Sequence, residues 1–344
     1  MTDVREALSV VAGGRTLARA EAEDVMGRIM AGEATPAQLG ALLSALHLRG
    51  ETVDEVAGFA AGLRRAAVAV HVPAGAIDVV GTGGDRSNTF NISTVSSIVA
   101  AAAGATVAKH GNRAASSACG SADVLEALGV RIELGPEGVA ACVAETGIGF
   151  MFAPRFHPAL RHAGPVRREI GIRTVFNILG PLANPAGVTR MVLGVSSVAI
   201  GETMARVLLE LGAEQAFVVH GADGLDEISP TGPTRTWTVR GGEVHGGTID
   251  PGALGLPLAR LDEIRGGDPG RNALMAREVL AGAPGAPRAA VLLNAGAACV
   301  VAGLAGDLRG GLDLAARTID SGAAAATLDA FVASSQRLGR AEAV

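Results

Sequence analysis

Residues 77–94 run Ile77-Asp78-Val79-Val80-Gly81-Thr82-Gly83-Gly84-Asp85-Arg86-Ser87-Asn88-Thr89-Phe90-Asn91-Ile92-Ser93-Thr94, an apolar strand that breaks into a glycine loop and then into amide and hydroxyl side chains. Glycines reach backbone conformations closed to other residues and let main-chain N–H groups approach anionic oxygens. Asn91, Ser93 and Thr94 then stand where a helix begins, so its free amides and positive dipole end add to an anion site. The loop lacks the Gly-Lys-Ser/Thr ending of Walker A and the glycine spacing of a dinucleotide fingerprint. Taken singly it is a plain strand-to-helix turn.

Outward from this stretch the chain alternates. Short apolar strands are predicted at Ile77–Val80, Thr106–Ala108, Ile148–Phe152, Met191–Val195 and Ala216–His220, with helices at about 93–104, 121–128, 136–146 and 201–212. Such alternation builds a mainly parallel α/β sheet, whose ligands sit beyond the carboxyl ends of the strands. Arg235–Val239 and Glu243–Val244 around Gly241-Gly242 predict a hairpin, and helices fill the chain from Arg271 onward. Upstream, residues 1–70 are helical only. Thr35 with Gln38 and Thr52 with Glu55 form capping boxes ahead of helically spaced apolar residues. A small N-terminal helical domain is therefore expected at 1–70, with a basic helical stretch at about 165–188 returning to it, and an α/β domain at 71–164 and 189–344.

A second polar cluster follows the second strand: Lys109-His110-Gly111-Asn112-Arg113, with small polar residues on to Ser121. Lys109 offers a phosphate a point charge, and Asn112 both donates and accepts hydrogen bonds. Ser121 is a natural N-cap, with Asp123 in the first turn as a structural residue. After the fifth strand comes Gly221-Ala222-Asp223-Gly224-Leu225-Asp226-Glu227-Ile228-Ser229, in which Asp226 and Glu227 provide oxygen ligands of the type Mg²⁺ takes. Arg167, Arg168 and Arg173 can each grip a planar carboxylate in bidentate fashion, and at least one of them is expected to form a structural salt bridge. Two anion loops close together suggest one ligand with two anionic ends.

The composition excludes several classes. Net charge is −5 over 344 residues with no long basic tract, so nucleic acid is not an expected partner. Three widely spaced cysteines, Cys119, Cys142 and Cys299, fit neither a disulfide framework nor a metal site, and point to a reducing cytoplasm. The start is already charged and does not resemble a signal peptide. Ala289–Ala305, apolar except for Asn294, is short for a span of about 20 residues and is expected to be a buried helix, not a membrane segment. Aromatic residues make up only 3% of the chain, so Ala, Val, Leu and Ile must build the core.

Together GTGGD at 81–85, NIST at 91–94, KHGNRAASS at 109–117, GSADVLEALG at 120–129, RTVFNILGPLANP at 173–185, DGLDEIS at 223–229 and VLLNAGAA at 291–298 resemble the anthranilate phosphoribosyltransferases over nearly the whole chain. The resemblance implies a nucleoside phosphorylase-like phosphoribosyltransferase fold and a homodimer. It implies transfer of the phosphoribosyl group of phosphoribosyl pyrophosphate to anthranilate, in tryptophan biosynthesis, with two Mg²⁺ per active site. It places Gly81, Gly84, Asp85, Thr89, Asn91, Ile92, Ser93, Thr94, Lys109, His110, Gly111, Asn112, Arg113, Ala114, Ala115, Ser116, Ser117 and Ser121 around phosphoribosyl pyrophosphate. Gly81, Asn112 and Arg167 match the anthranilate contacts, with Gly81 kept small so that anthranilate can approach. Ser93, Asp226 and Glu227 match the Mg²⁺ positions. No residue is implied as a general acid or base; Lys109, Asn112 and Arg167 position the reactants. The pyrimidine nucleoside phosphorylases share this layout but carry Lys-His-Ser-Thr-Gly-Gly where this chain has Val79-Val80-Gly81-Thr82-Gly83-Gly84.

Overall fold

The computed structural model describes residues 2–114 and 118–342. Four helices open the chain: α1 (Val4–Ala12), α2 (Arg19–Met30), α3 (Pro36–Arg49) and α4 (Val53–Arg65). Both expected capping boxes close α3 and α4 at their N-termini, through Thr35 with Gln38 and Thr52 with Glu55. Glu55 also does something its sequence position does not announce. Fully buried, it accepts the Leu17 N–H at 2.9 Å and pairs with Arg49, so one cap residue ties α4 to both the α1–α2 connection and the end of α3. Two glycines let α2 and α4 touch backbone to backbone: a Cβ at Gly62 would lie 2.7 Å from the Glu23 carbonyl oxygen, and one at Gly58 would meet that of Arg19.

A seven-stranded sheet follows, β1 (Ile77–Gly81), β2 (Val107–Gly111), β3 (Ile148–Phe152), β4 (Arg190–Gly194), β5 (Gln215–Gly221), β6 (Thr234–Arg240) and β7 (Glu243–Ile249), in the order β3-β2-β1-β4-β5-β6-β7. The first five are parallel and the last two antiparallel. This is the α/β class expected, with a mainly parallel sheet beside a helical bundle. From β1 the chain progresses one way to β2 and β3, then returns to β4 on the other side. Beyond the carboxyl end of β1 lies therefore the topological switch point, the usual crevice of such sheets.

The hairpin is longer than its sequence signal, because β7 is mostly exposed and carries Gly246-Gly247 in its middle. Pairing with β6 creates it, not an apolar pattern of its own. Helix Val198–Glu210 starts three residues earlier than expected, after Ser197, whose hydroxyl accepts the Ala199 N–H at 3.3 Å. Residues 158–179 form a short 3₁₀ turn (Pro158–His162) and the helices Gly164–Ile170 and Phe176–Leu179, which contact α2, α3 and α4 respectively. Helix Ala286–Val301 is buried continuously from Ala289 to Val301, against α5 (Ile92–Ala102) and β4. Among the described residues no helix is long and apolar enough to cross a membrane.

Candidate active site

The glycine loop leaves β1 with left-handed backbone at Gly83 (φ 66°) and Gly84 (φ 82°), and also at the non-glycine residues Arg86 and Asn88. Its Gly83 N–H donates to Asp226 Oδ2 at 2.7 Å. A Cβ on Gly81 would lie 2.9 Å from Asp226 Cγ, and one on Gly194, at the end of β4, would overlap the Asp226 backbone. Asp226 thus packs onto two bare strand ends. The space over Gly81 belongs to this carboxylate, which gives its missing side chain a different reason from the approach of anthranilate.

Asp226 and Glu227 come from the turn after β5, and Asp223 shapes that turn. Asp223 Oδ2 accepts the Ser229 and Thr231 hydroxyls at 2.6 Å each, and its Oδ1 accepts the Leu225 N–H at 3.2 Å. Glu227 Oε1 accepts the Ser93 N–H at 3.2 Å, at the N-terminus of α5. Burial, with Asp85 close by, pushes Asp226 up to about 7. Burial and then Asp226 push Glu227 up to about 8, against the opposing pull of Lys109. Buried side by side, Asp226 and Glu227 resist ionising together. Such an all-oxygen set suits a hard divalent cation, which would favour the ionised forms.

Lys109 is 2% exposed, and its ammonium donates to the Val79 carbonyl at 2.6 Å between Asp78 and Glu227. Lys109, expected to offer a phosphate a point charge, is an internal cation bonded to backbone, because β2 runs beside β1 and turns it under the loop. Asn184 fixes this interior by donating to Asp78 Oδ2 at 2.7 Å and to the Ala108 carbonyl at 2.9 Å. His110 faces His157 with ring centroids 5.0 Å apart. Burial, then the facing imidazole, lowers His110 to about 3, and burial lowers His157 to about 4. Both stay neutral when folded but take up protons when unfolded below their ordinary 6.5. Stability is accordingly intact above that value and is lost as pH falls towards 4. At pH 5 each imidazole costs about 2 kcal/mol. We expect a steep fall in melting temperature between pH 7 and pH 5, made shallower by His157→Asn; an unaltered pH slope in that variant would reject the cause.

In the second loop Gly120, not Ser121, caps α6 (Ser121–Leu128), because the Ser121 hydroxyl turns back to the Asn112 carbonyl at 3.3 Å. Asp123 is structural as expected: its carboxylate accepts the Ala114 and Gly120 N–H groups, both at 2.9 Å, and pairs with Arg113. Arg113 also pairs with Glu126 and lies over the Phe152 ring, so it is a neutralised cation. Gly111 is bare because Ser121 Oγ occupies its Cβ position. Asn112 is exposed, its Oδ1 accepting the Arg113 N–H at 2.8 Å. The expectations for Ala115, Ser116 and Ser117 lie outside the described residues.

Asn91 joins the two loops. Its amide donates to the Cys119 carbonyl at 3.1 Å and accepts from Asn272 at 2.9 Å. Asn272 stands in a helical stretch, and nothing in its local sequence shows that it reaches the start of α5. Ile92 is buried in the core, so only its backbone faces the loop region, and Thr94 is buried with a hydroxyl lacking a partner among the described residues. Thr89 bridges to Arg265 and Asp85 accepts the Ser87 hydroxyl, which hold the far side of the loop.

The expected structural salt bridge among Arg167, Arg168 and Arg173 does not form within the described residues. Arg167 is half-buried over the Phe176 ring, 5.0 Å from its centroid, and burial alone lowers its pKa. Among the described residues it is a cation without a carboxylate partner, which no sequence pattern reveals. Arg173 donates to Ser196 Oγ at 3.1 Å and stands where a Gly84 side chain would be, 2.7 Å from the Cβ position.

Comparison with known proteins gives a consistent picture. The family described as "Glycosyl transferase family, a/b domain" matches residues 74–325, and "Glycosyl transferase family, helical bundle domain" matches residues 5–67. An anthranilate phosphoribosyltransferase of Thermomicrobium roseum is 56% identical over 340 residues, covering 97% of this chain and 98% of the relative. The crystal structure of the Thermus thermophilus anthranilate phosphoribosyltransferase superposes with TM-score 0.92 at 45% identity, over 96% of this chain and 99% of that one. The Saccharomyces cerevisiae enzyme in complex with PRPP and Mg gives TM-score 0.89 at 27% identity, over 97% and 98% of the two chains.

Proposed function

This chain belongs to the anthranilate phosphoribosyltransferases, and from that premise we propose how its cleft carries the reaction. The enzyme transfers the phosphoribosyl group of 5-phosphoribosyl 1-pyrophosphate to the amine of anthranilate, releasing pyrophosphate and N-(5-phosphoribosyl)anthranilate. The observation that carries the site assignment is the convergence of β1, β4, the turn after β5 and the start of α5 on Asp226 and Glu227.

The glycine loop, Asn91 to Thr94, Lys109 to Ser117 and Ser121 receive phosphoribosyl pyrophosphate, the backbone amides of the loop facing its anionic oxygens. Asp226, Glu227 and Ser93 would hold Mg²⁺, two ions per site; the closeness of Asp85 to the two acids supports this set. When bound there, magnesium would supply positive charge to offset that of the departing pyrophosphate. Asn112 and Arg167 orient anthranilate. Arg167 suits its carboxylate because it is already partly desolvated and has no anionic partner among the described residues. The arylamine nitrogen attacks C1 of the ribose as the bond to pyrophosphate breaks, and the amine proton passes to solvent. Positioning and electrostatics accelerate this step, without a general base.

The domain division at 1–70 with about 165–188, against 71–164 with 189–344, then places the substrate cleft between a helical and an α/β part. Exposed Leu48 and Ile172 on the helical part support a homodimer there, which analytical ultracentrifugation tests. Free buried Cys119, Cys142 and Cys299 suit a cytoplasmic enzyme.

Loss of anthranilate fluorescence on mixing protein, anthranilate and phosphoribosyl pyrophosphate tests the activity. It should require Mg²⁺; equal loss after chelation counts against the assigned cleft. Arg167→Ala should raise KM for anthranilate roughly 10- to 100-fold, the loss of one charge-assisted contact, with KM for phosphoribosyl pyrophosphate little changed. Equal effects on the two substrates would reject its assignment.

A further inference from the structure

Helix Ala286–Val301 is buried from Ala289 to Val301, and that stretch is apolar apart from one amide. Asn294 is fully buried, so its polar atoms must be satisfied within the protein. Its Oδ1 accepts the Ile228 N–H at 2.9 Å, and its Nδ2 donates to the Ile228 carbonyl at 2.9 Å and to the Ala290 carbonyl at 2.9 Å. One side chain therefore takes both backbone groups of one residue, and that residue directly follows Glu227. Ile228 lies outside the sheet, whose β5 ends at Gly221, so its peptide groups have no ladder to join. On the other flank Asp223 binds Leu225, Ser229 and Thr231. The Asp226-Glu227 pair is thus carried on a turn pinned from within by Asn294 and from outside by Asp223.

We propose that Asn294 is a positioning residue for the acidic pair: by gripping the Ile228 peptide from inside the core it fixes the direction of Asp226 and Glu227, and so sets the affinity of the cleft for Mg²⁺ with phosphoribosyl pyrophosphate. The inference rests on the assignment of Asp226 and Glu227 as cation ligands. It distinguishes the two substrates, because anthranilate meets Asn112 and Arg167 on other elements. Side chains that orient metal ligands without touching the metal typically change metal affinity by about 10- to 100-fold when lost.

The test compares Asn294→Leu, which keeps the size and suits the apolar helix, with Asn294→Asp, which keeps one acceptor but sets an oxygen against both carbonyls. Calorimetric titration of Mg²⁺ into each variant with phosphoribosyl pyrophosphate, without anthranilate, should show affinity reduced roughly 10- to 100-fold. The half-saturating Mg²⁺ concentration for turnover should rise in parallel, while KM for anthranilate stays within about 2-fold. Glu227→Gln serves as the control. If it shifts Mg²⁺ binding and a folded Asn294 variant does not, the positioning role is overturned. If neither shifts it, the ligand assignment itself fails. Should Asn294→Leu not fold, Asn294→Asp decides by the same readouts, and an equal rise in both substrates' KM overturns the role in either variant.

Discussion

Glu227→Gln should lower kcat roughly 10²- to 10³-fold while leaving KM for anthranilate nearly unchanged, and should make the Mg²⁺-free protein more heat-stable. The substitution is isosteric and keeps an oxygen for the Ser93 N–H, so the turn stays in place. What it removes is a buried carboxyl whose ionisation is opposed by desolvation and by Asp226 beside it. Because the folded protein holds the Glu227 carboxyl up to about 8, well above the 4.5 of an ordinary glutamate, the unfolded chain ionises first as pH rises. Stability conferred by the protonated form is therefore complete below 4.5 and lost as pH climbs through about 8. The amide of the variant cannot ionise, so the gain in melting temperature should grow as pH rises above 4.5 and be larger at about pH 8.5 than at about pH 6. Activity and stability would then move in opposite directions, as expected where like charges are held together for function. Thermal scans with and without Mg²⁺, beside steady-state kinetics, read both; a variant that is less stable at the higher pH would reject the electrostatic account.

Gly81→Ala should reduce kcat/KM about 10²-fold in a folded protein, through Asp226 and not through the backbone. Gly81 does not have a left-handed φ, so alanine is conformationally acceptable there. Its methyl group would instead stand 2.9 Å from Asp226 Cγ, displacing the carboxylate and releasing the Gly83 N–H. Gly83→Ala is the informative contrast. Nothing lies within 4 Å of a Cβ at Gly83, but its φ of 66° strains alanine by about 1 kcal/mol. That variant should lose stability or loop order modestly while Asp226 stays in place. Circular dichroism, thermal midpoints and kinetics on both variants check this, and indistinguishable kinetic losses would mean that loop conformation, not the carboxylate, governs the effect.

Much of the architecture was legible because it depends on local rules. The caps at Thr35 and Thr52, the strand at Ile148–Phe152 and the helices 121–128 and 136–146 follow from periodicity and end signals within a dozen residues. Misses occurred where a partner across the fold makes the decision. The long exposed β7 exists because β6 offers it a ladder, and Gly120 caps α6 because the Ser121 hydroxyl is drawn to Asn112. Lys109 reads in sequence as a point charge for a phosphate, yet parallel pairing of β2 beside β1 carries it inside. Asn272 and Asn294 lie in helical stretches whose local pattern says nothing of the loops they hold.

The chain's order of residues determined the α/β class, the helical start and the polar character of the three loops, since turn chemistry and hydrophobic period are short-range properties. Folding decided which of those loops meet, and at what protonation. Parallel pairing brings the ends of β1, β4 and β5 side by side, so that Gly81 and Gly194 leave room for an acid from a turn more than thirty residues further on. Only there do burial and neighbouring charge lift Asp226 and Glu227 far from ordinary carboxylates, because both effects depend on distances through space that spacing along the chain does not encode.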